Sequence, residues 1–260
     1  MSEPLVRIQQ EDGIARLVLN NPGAGNALDW ALTDAFAAAA QSIDPAATRA
    51  VLFTAEGRNF CVGGDIRAFH ASEDREAFLR GIARRLNEGV LALAALPAPV
   101  IVAVQGAAAG AGFSFALGGD LVLAGRSAHF TMAYSGIGFT ADGGASWLLP
   151  RLVGLRRAQE LALTNRRLSA PEAAEWGIVT RVVPDEELAD QAEALAQTIA
   201  AGPTRAYGEI KRLLATSFTS GFEAQLGDEA ETIARVGAGP DGREGLAAFI
   251  ERRQPSFKGQ

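Results

Sequence analysis

Two glycine-rich segments are the strongest candidates for chemistry in this 260-residue chain. They cover residues 59–66 (NFCVGGDI) and 105–114 (QGAAAGAGFS), and each follows an apolar run typical of a β-strand. Both are poor in reactive side chains, so chemistry there would come from backbone N–H groups. Glycine has no Cβ and lets the chain bring its amides close to a ligand. Two such loops converging on one oxygen would form an oxyanion hole, which stabilises an acyl or enolate intermediate.

The composition excludes several classes of partner and site. The net charge of -6 and the isoelectric point near 5.1 argue against nucleic acid, because no basic surface is available to replace phosphate counterions. The single cysteine, Cys61, excludes an intramolecular disulfide and fits a reducing compartment, so we expect a cytoplasmic protein without a signal peptide. Two histidines, His70 and His129, are too few for a histidine-rich metal site, and we expect no metal.

One long uncharged stretch raises the question of a membrane span. No formal charge occurs between Glu88 and Asp120, which is long enough for a transmembrane helix. Proline at positions 97 and 99 and glycine at 106, 110 and 112 divide it into short apolar runs. The stretch therefore predicts a buried strand followed by a buried helix, and we expect no membrane partner.

The elements that must position the two glycine segments alternate between strand and helix. An acid–glycine turn at Asp12-Gly13 predicts a hairpin between two alternating runs. The run at 100–104 is continuously apolar, as in a parallel strand covered on both faces. This alternation indicates an α/β architecture. The predicted strands cover residues 5–8, 15–19, 50–54, 100–104, 121–124 and 178–183, and the predicted helices cover 29–41, 74–95 and a segment from about 112.

The C-terminal part of the chain has a different pattern. After about residue 185 the strand pattern ends, and residues 185–253 are typical of consecutive amphipathic helices. Ser169, Ser220 and Asp241 each precede a glutamate at the capping-box spacing. We divide the chain into a core at 1–200 and a smaller helical region at 201–260.

The two glycine segments resemble the two signatures of the crotonase family, the enoyl-CoA hydratases and isomerases. The resemblance is carried by residues 60–66 and 103–112, and it extends from Asn26-Ala27-Leu28 to Arg243-Glu244-Gly245. It implies a spiral of ββα repeats with a CoA-thioester site in residues 1–200. It also implies that the helices of 201–260 assemble the protein into a homotrimer or homohexamer. Coenzyme A would enter as part of the substrate, with no separate cofactor.

Matching these motifs implies which backbone groups form the oxyanion hole. The two donors would be the amides of Gly64 and Ala111, with Ala111 replacing the glycine commonest at its position. Ala111 lies just before a predicted helix, whose positive end would add to the stabilisation. The bound oxygen would be that of a thioester carbonyl polarised toward an enolate.

The acid and base positions depart from the hydratase pattern. Hydratases of this family carry two glutamates, but the matching positions here hold Ser114 and Tyr134. Neither can act as a carboxylate base, so hydration by the usual two-acid mechanism is not expected. Asp142 lies in a segment that resembles the one where family isomerases place a catalytic aspartate. We interpret Asp142 as a general base; the alternatives are a nucleophile or an Asp-Gly turn that caps the following helix.

The resemblance also implies contacts to coenzyme A. Residues 26–28 (Asn26, Ala27 and Leu28) would contact the pantetheine, and Val62, Asp65 and Ile66 would contact the adenine, largely through backbone groups. Lys258 would meet a phosphate, in its own site or in that of a neighbouring subunit, or would lie in a solvated tail. Ser114 and Tyr134 complete the residues expected around the substrate.

Within the family the chain looks most like the ring-epoxide acyl-CoA isomerases of phenylacetate degradation. We therefore expect an acyl-CoA isomerase that shifts a double bond or rearranges a ring epoxide through a stabilised enolate. Three alternatives stay open. They are a hydratase that works without the glutamate pair, an acyl-CoA thioesterase that uses Asp142, and a CoA-thioester-binding protein without activity.

Overall fold

A computed structural model describes residues 3–260 as an α/β fold with two sheets. The strands are β1 (Val6–Glu11), β2 (Ile14–Leu19), β3 (Ala50–Ala55), β4 (Val100–Val104), β5 (Ala107–Ala109), β6 (Leu121–Gly125), β7 (His129–Thr131), β8 (Leu168–Ser169) and β9 (Arg181–Val183). The helices are α1 (Trp30–Gln41), α2 (Ile66–Ala71), α3 (Arg75–Ala95), α4 (Ala111–Leu117), α5 (Ala145–Val153), α6 (Leu155–Thr164), α7 (Ala170–Glu175), α8 (Leu188–Ala200), α9 (Thr204–Thr216), α10 (Phe222–Gly237) and α11 (Pro240–Glu251).

The large sheet has six strands in the order β1-β2-β3-β4-β6-β9. All neighbouring strands are parallel except β1 and β2, which form the predicted antiparallel hairpin. Asp12 and Gly13 have φ angles of 54° and 74°, as a tight turn between twisted strands requires. Every residue of β4 is buried, as its continuous apolar run predicts. The α/β prediction is therefore confirmed.

A small sheet of order β5-β7-β8 lies beside the large one, and the sequence does not predict it. Three successive turns of chain contribute to both sheets. After β3, Cys61 forms a parallel bridge to Ala108 in β5. After β4 and β6, the chain continues into β5 and β7, which pair in parallel. Strand, short strand and helix thus recur along the chain, which is the ββα spiral that the resemblance implies.

Aromatic rings fill the space between the large sheet and α1. Phe36 from α1 lies 5.7 Å from Phe53 of β3 and 4.6 Å from Phe115 of α4, measured between ring centroids. Helix α3 packs on α1 through Gly89, where a Cβ would lie 2.5 Å from the Phe36 ring. Helices α1, α3 and α4 are thereby fixed around the ends of β3 and β4. The two glycine segments follow those ends.

The helical C-terminal region differs from the core in what it buries. No strand follows β9 in the described residues, and the two buried apolar clusters contain no residue after Ala200. Helices α9 to α11 instead expose large apolar side chains. Phe222, Phe249 and Ile250 are 80%, 84% and 78% exposed. A boundary near residue 200 and a role of these helices in assembly remain predictions.

Two of the three predicted capping boxes are wrong. Ser169 caps α7 as expected and accepts a hydrogen bond from the backbone N–H of Glu172. Helix α10 begins after Gly221, one residue beyond Ser220, and α11 begins after Gly239. Asp241 lies inside the first turn of α11, where its carboxylate accepts hydrogen bonds from the backbone N–H groups of residues 258–260 at 2.7 to 3.0 Å. The Asp241 carboxylate therefore binds the C-terminal tail and does not cap the helix that contains it.

No helix among residues 3–260 is long and apolar enough to cross a membrane. The uncharged stretch before Asp120 contains the end of α3, the predicted strand β4 and helix α4, and between them the short strand β5, which the sequence does not predict.

Candidate active site

The two glycine segments lie side by side because they pair through their backbones. The N–H of Cys61 donates to the carbonyl of Ala107 at 3.1 Å, and the N–H of Ala109 donates to the carbonyl of Cys61 at 2.9 Å. This parallel register continues toward Gly63, where a Cβ would lie 2.9 Å from the Ala109 carbonyl oxygen. Residues 63–64 therefore lie alongside residues 110–111, at the carboxyl end of the large sheet.

The amides of Gly64 and Ala111 both lie at the wall of one cavity. Within residues 3–260 neither N–H donates a backbone or side-chain hydrogen bond, whereas the neighbouring N–H of Asp65 donates to the Leu28 carbonyl at 3.0 Å. Ala111 is the first residue of α4, and the turn before it needs Gly110, whose φ is 54° and ψ is -125°. Two uncommitted amides on adjacent loops are what an oxyanion hole requires.

The cavity has a volume of about 520 Å³, and its lining is mostly apolar. Phe69 of α2 covers Gly64, since a Cβ at that glycine would overlap the tip of the Phe69 ring. The Phe69 ring stacks on that of Phe139 at 6.4 Å between centroids. Helix α3 contributes Ile82 and Leu86 to the wall. An acyl group held here would be shielded from water on these sides.

Asp142 is the single carboxylate that lines this cavity in the described part of the chain. Its Oδ1 accepts a hydrogen bond from the hydroxyl of Tyr134 at 2.6 Å. Burial raises the pKa of Asp142 above its ordinary value, and the Tyr134 hydrogen bond opposes part of that rise. The pKa of the Tyr134 hydroxyl is also raised, chiefly by burial and then by the Asp142 charge. A partly buried carboxylate with raised pKa is suited to accept a proton from carbon.

Ser114 completes this corner of the site from behind the wall. It is only 1% exposed, and its hydroxyl donates to the Asp142 carbonyl oxygen at 2.9 Å. The same hydroxyl lies 3.1 Å from that of Tyr134. Ser114 and Tyr134, which the resemblance matches to the two glutamates of hydratases, are thus both in contact with Asp142.

The Asp-Gly turn of the alternative interpretation is present at residues 142–145, but Asp142 does not cap the following helix with its side chain. Helix α5 begins at Ala145 after Gly144, and no side chain caps it. The contribution of Asp142 is its carbonyl oxygen, which accepts the N–H of Ala145 at 3.2 Å. Its carboxylate accepts the hydrogen bond of Tyr134 instead. The carboxylate is therefore not used by the helix and is available at the cavity.

The residues expected around coenzyme A fall into two groups. Leu28, Val62 and Ile66 line the cavity, and Val62 and Ile66 are 38% and 50% exposed at its mouth. Asp65 lies beside them, but its carboxylate caps α2 by accepting from the N–H groups of Arg67 and Ala68.

Asn26 and Ala27 are not among the residues that line the cavity. The Asn26 side chain is fully buried and donates to the carbonyl groups of Glu56, Asn59 and Phe60 at 3.0 to 3.1 Å. Its Oδ1 accepts the N–H of Asn21 at 2.8 Å. Asn26 therefore holds the loop that leads to Gly64, a supporting role that the sequence does not reveal.

Lys258 lies far from the cavity of its own chain. The tail around it is held by Asp241, which binds the backbone N–H of Lys258, and by Arg49, which donates to the Phe257 carbonyl at 3.1 Å. Arg49 directly precedes β3, so this tail lies at the amino end of the large sheet. The glycine segments lie at the opposite end. A contact of Lys258 to coenzyme A, in its own or a neighbouring subunit's site, stays a prediction.

No group of three or more His, Cys, Asp and Glu side chains within residues 3–260 is arranged to hold a metal ion. Cys61 is fully buried, and burial raises the pKa of its thiol to about 12. His129 contacts the guanidinium of Arg167 rather than Ser114 or Asp142. The groups available at the cavity are therefore two backbone amides, one carboxylate and the hydroxyls of Thr33, Tyr134 and Thr140, with the Ser114 hydroxyl behind the wall.

Comparison with known proteins identifies the family. The model of the enoyl-CoA hydratase/isomerase family matches residues 9–260. The chain therefore belongs to this family, and its fold, a crotonase fold, confirms the resemblance described above.

The individual relatives include several activities. The chain is 41% identical over 253 residues to the 1,2-epoxyphenylacetyl-CoA isomerase of Escherichia coli K12, which covers 96% of this chain and 97% of the relative. It is 37% identical, over the full length of both chains, to a Rhodobacter capsulatus protein described as an enoyl-CoA hydratase. A Mycobacterium abscessus structure described as an enoyl-CoA hydratase/isomerase superposes with a TM-score of 0.93 at 38% identity, covering 98% of this chain and all of the other.

Proposed function

We propose that the protein is an acyl-CoA isomerase that shifts a double bond, or rearranges a ring epoxide, through an enolate held by the amides of Gly64 and Ala111. The observation that carries this proposal is the single carboxylate, Asp142, in an apolar cavity with two uncommitted amides. One base is enough to move a proton between two carbons of one substrate. Addition of water by the two-carboxylate mechanism needs a second acid, and the described lining offers none.

Each group has a defined part in the double-bond shift. Asp142 removes a proton from the α-carbon of a 3-enoyl thioester, and the electron pair of that C–H bond delocalises into a dienolate. The negative charge collects on the thioester oxygen, where the N–H groups of Gly64 and Ala111 stabilise it. Protonated Asp142 then returns the proton to the γ-carbon. The double bond becomes conjugated with the carbonyl, and the enzyme recovers its carboxylate.

The similarity to the Escherichia coli isomerase supports a ring epoxide as the substrate of this chain. The walls of the cavity can accept a ring, because Phe69, Phe139 and the apolar side chains of α3 surround it. Leu28 would then meet the pantetheine, and Val62 and Ile66 would meet the adenine at the cavity mouth. The exposed apolar side chains of α9 to α11 support assembly into a homotrimer or homohexamer, which light scattering of the purified protein would test.

The decisive experiment follows an isotope from one carbon to the other. The protein is incubated in ordinary water with 3-enoyl-CoA that carries two deuterons on the α-carbon, and the thioesters are examined by mass spectrometry and NMR. A single shielded base predicts a 2-enoyl-CoA in which part of the label has moved to the γ-carbon. A 1,2-epoxyphenylacetyl-CoA sample, followed by ultraviolet absorption, tests the ring rearrangement in parallel. Absence of isomerisation with both substrates would reject the proposal.

A hydratase is the second candidate, because of the 37% identity to the Rhodobacter capsulatus relative. In the same experiment, incubation with 2-enoyl-CoA would then give a product heavier by one water. Release of free thiol would indicate a thioesterase, and binding without any product would indicate a binding protein.

A further inference from the structure

Three groups at the back of the cavity are joined by hydrogen bonds into a closed set. The Tyr134 hydroxyl lies 2.6 Å from Asp142 Oδ1 and 3.1 Å from the Ser114 hydroxyl. The Ser114 hydroxyl lies 2.9 Å from the Asp142 carbonyl oxygen. Ser114 is held on α4, which begins at Ala111, so the set connects Asp142 to the helix that carries one oxyanion-hole amide.

Counting hydrogens shows what this set can do for Asp142. An ionised carboxylate only accepts, so the single hydrogen of Tyr134 goes to Asp142 Oδ1. Ser114 then has its own hydrogen for the Asp142 carbonyl or for the Tyr134 oxygen, and no hydroxyl competes for the carboxylate. This arrangement leaves Asp142 Oδ2 without a partner in the set. Oδ2 is therefore the oxygen that can exchange a proton with the substrate.

The surroundings supply no other charge that could control this carboxylate. The cavity wall contributed by α2, α3, the start of α4 and the loop before α5 contains no Lys, Arg, His or Glu among the described residues. Tyr134 is the one titratable side chain in contact with Asp142 there. Burial raises the pKa of Asp142, and the Tyr134 hydrogen bond is the main influence that lowers it.

We propose that Tyr134 is a positioning residue that fixes Asp142 and sets its affinity for the transferred proton, with Ser114 holding Tyr134 and the Asp142 backbone in place. This inference rests on the proposed function only in that the proton of Asp142 is transferred to and from the substrate. Without the phenol, burial would be opposed only by the backbone N–H of Asp142, and the carboxylate would keep its proton to higher pH. With it, part of the rise in the Asp142 pKa that burial causes is offset, so Asp142 gives up its proton at lower pH than it would without the phenol.

The test removes one oxygen atom at a time. Tyr134→Phe keeps the ring and removes the hydroxyl, and Ser114→Ala removes the hydroxyl behind it. The pKa of Asp142 is measured by NMR titration of protein labelled with ¹³C at aspartate carboxyl carbons, with Asp142→Asn used to assign the signal. A hydrogen bond to a charged group corresponds to about one to two pKa units. We therefore expect the Asp142 pKa to rise by about one to two units in Tyr134→Phe and by less in Ser114→Ala.

The chain offers a matched control in its other tyrosine. Tyr207 lies on α9, away from the cavity, and Tyr207→Phe should leave the Asp142 titration unchanged. An Asp142 pKa in Tyr134→Phe equal to that of the wild type would overturn the inference, whatever the activity. If the variant is active, the acidic limb of its kcat/KM profile should move upward by the same amount as the titration.

The two proposals fail in different ways. The titration needs no turnover, so a raised Asp142 pKa in a protein without isomerase activity would keep the inference and reject the proposed function. Isomerase activity with an unmoved titration and an unmoved pH profile would keep the function and reject the role of Tyr134. If Tyr134→Phe does not fold, Ser114→Ala is tested instead. In that variant, an unchanged Asp142 pKa and an unchanged pH profile of kcat/KM would count against the inference.

Discussion

The carboxylate in the cavity and those in the C-terminal helices differ in the charge of the groups around them. Glu209 on α9 accepts from the guanidinium groups of Arg212 and Arg235 at 2.8 and 2.5 Å, and these contacts lower its pKa to about 2. Glu244 on α11 is lowered to about 2 as well, first by Arg253 and then by the N–H of Ser256. Asp142 meets only a neutral hydroxyl, and burial raises its pKa.

This difference separates carboxylates that stabilise structure from one that can do chemistry. A carboxylate paired with arginine has little tendency to take a proton near neutral pH, so it serves as a fixed charge. An isolated buried carboxylate keeps a high proton affinity and is held ready to react. The same contrast predicts where substitutions will affect turnover and where they will affect only stability.

The largest effect is expected at Asp142 itself. Asp142→Asn keeps the shape and the acceptor for Tyr134 but removes the base, so kcat/KM for isomerisation should fall by about 10²–10⁴-fold. Steady-state kinetics with 3-enoyl-CoA measure this loss, and calorimetric titration with a non-reactive acyl-CoA should show that binding is retained. Turnover that survives within a few-fold would show that Asp142 is not the base.

The proposed oxyanion hole should be disturbed by a substitution at Gly112. A Cβ at this position would overlap the Cys61 carbonyl oxygen, so Gly112→Ala must displace the start of α4 together with the Ala111 amide. We expect a loss of about 10²–10³-fold in kcat, as for removal of one donor. We also expect a loss of about 1–3 kcal/mol in the free energy of unfolding, as for overpacking.

The same helix provides the control for this substitution. At Gly118, where α4 ends, a Cβ would meet its nearest neighbour, the Phe115 carbonyl oxygen, at 3.5 Å, which is ordinary contact. Gly118→Ala should therefore leave kcat nearly unchanged. Equal losses of activity in both variants would mean that α4 as a whole, and not the position of Ala111, limits the rate.

The substitution Asp142→Asn should lower activity but raise stability at pH 7. The pKa of Asp142 is raised in the folded protein, so the folded state binds more protons than the unfolded state between about pH 4, the unfolded value, and the folded value. In that window stability falls as pH rises, and above it the full destabilisation remains. Asp142→Asn should thus raise the unfolding midpoint at pH 7, by roughly 2–4 °C per kcal/mol relieved.

Thermal unfolding followed across pH distinguishes this explanation from a general effect of the substitution. The gain from Asp142→Asn should shrink as pH falls through the folded pKa and vanish near pH 4. A gain that is independent of pH, or a loss at pH 7, would contradict the assignment of a raised pKa. The acidic limb of the wild-type kcat/KM profile should likewise lie above the ordinary aspartate range.

The parts of the fold that the sequence predicts well are those with a strong local pattern. The strands of the large sheet carry continuous or alternating apolar runs. Helices α1 and α3 begin within one residue of their predicted starts, where Asp29 and Asp74 cap them. Strands β5, β7 and β8 have two or three residues, too few for any period to be recognised. The capping boxes at Ser220 and Asp241 are wrong because Gly221 and Gly239 occupy the N-cap positions, and a spacing alone cannot tell which residue does.

The candidate site also has a part that local motifs predict and a part that depends on distant contacts. Gly64, Ala111 and Asp142 are predicted from motifs, and all three line one cavity, although their roles stay predictions. The Tyr134–Asp142 hydrogen bond is not predictable, because it closes an irregular loop that no periodicity describes. Nor does the sequence place Lys258 at the amino end of the large sheet, since that position depends on contacts of the tail with Arg49 and Asp241.

Asp241 is an intermediate case between the two kinds of carboxylate. It is 5% exposed and has no arginine partner, but three backbone N–H groups of the tail satisfy it. Asp241→Ala would leave those amides without their acceptor, so we expect a loss of about 1–3 kcal/mol in the free energy of unfolding. Urea unfolding measures it, with the exposed Glu229 of α10 as the control through Glu229→Ala. Equal effects in the two variants would show that the tail contact contributes nothing specific.

The smallest effect is expected where a carboxylate is already neutralised at the surface. Glu209→Gln removes the charge between Arg212 and Arg235, and such exposed pairs contribute about 0–1 kcal/mol. Because the Glu209 pKa is lowered, its contribution is present above about pH 4 and is lost as pH falls toward 2. The variant should therefore lose less stability than the wild type over that interval and keep full activity at pH 7. A loss of activity would connect α9 to the cavity, and the separation between structural and reactive carboxylates would then fail.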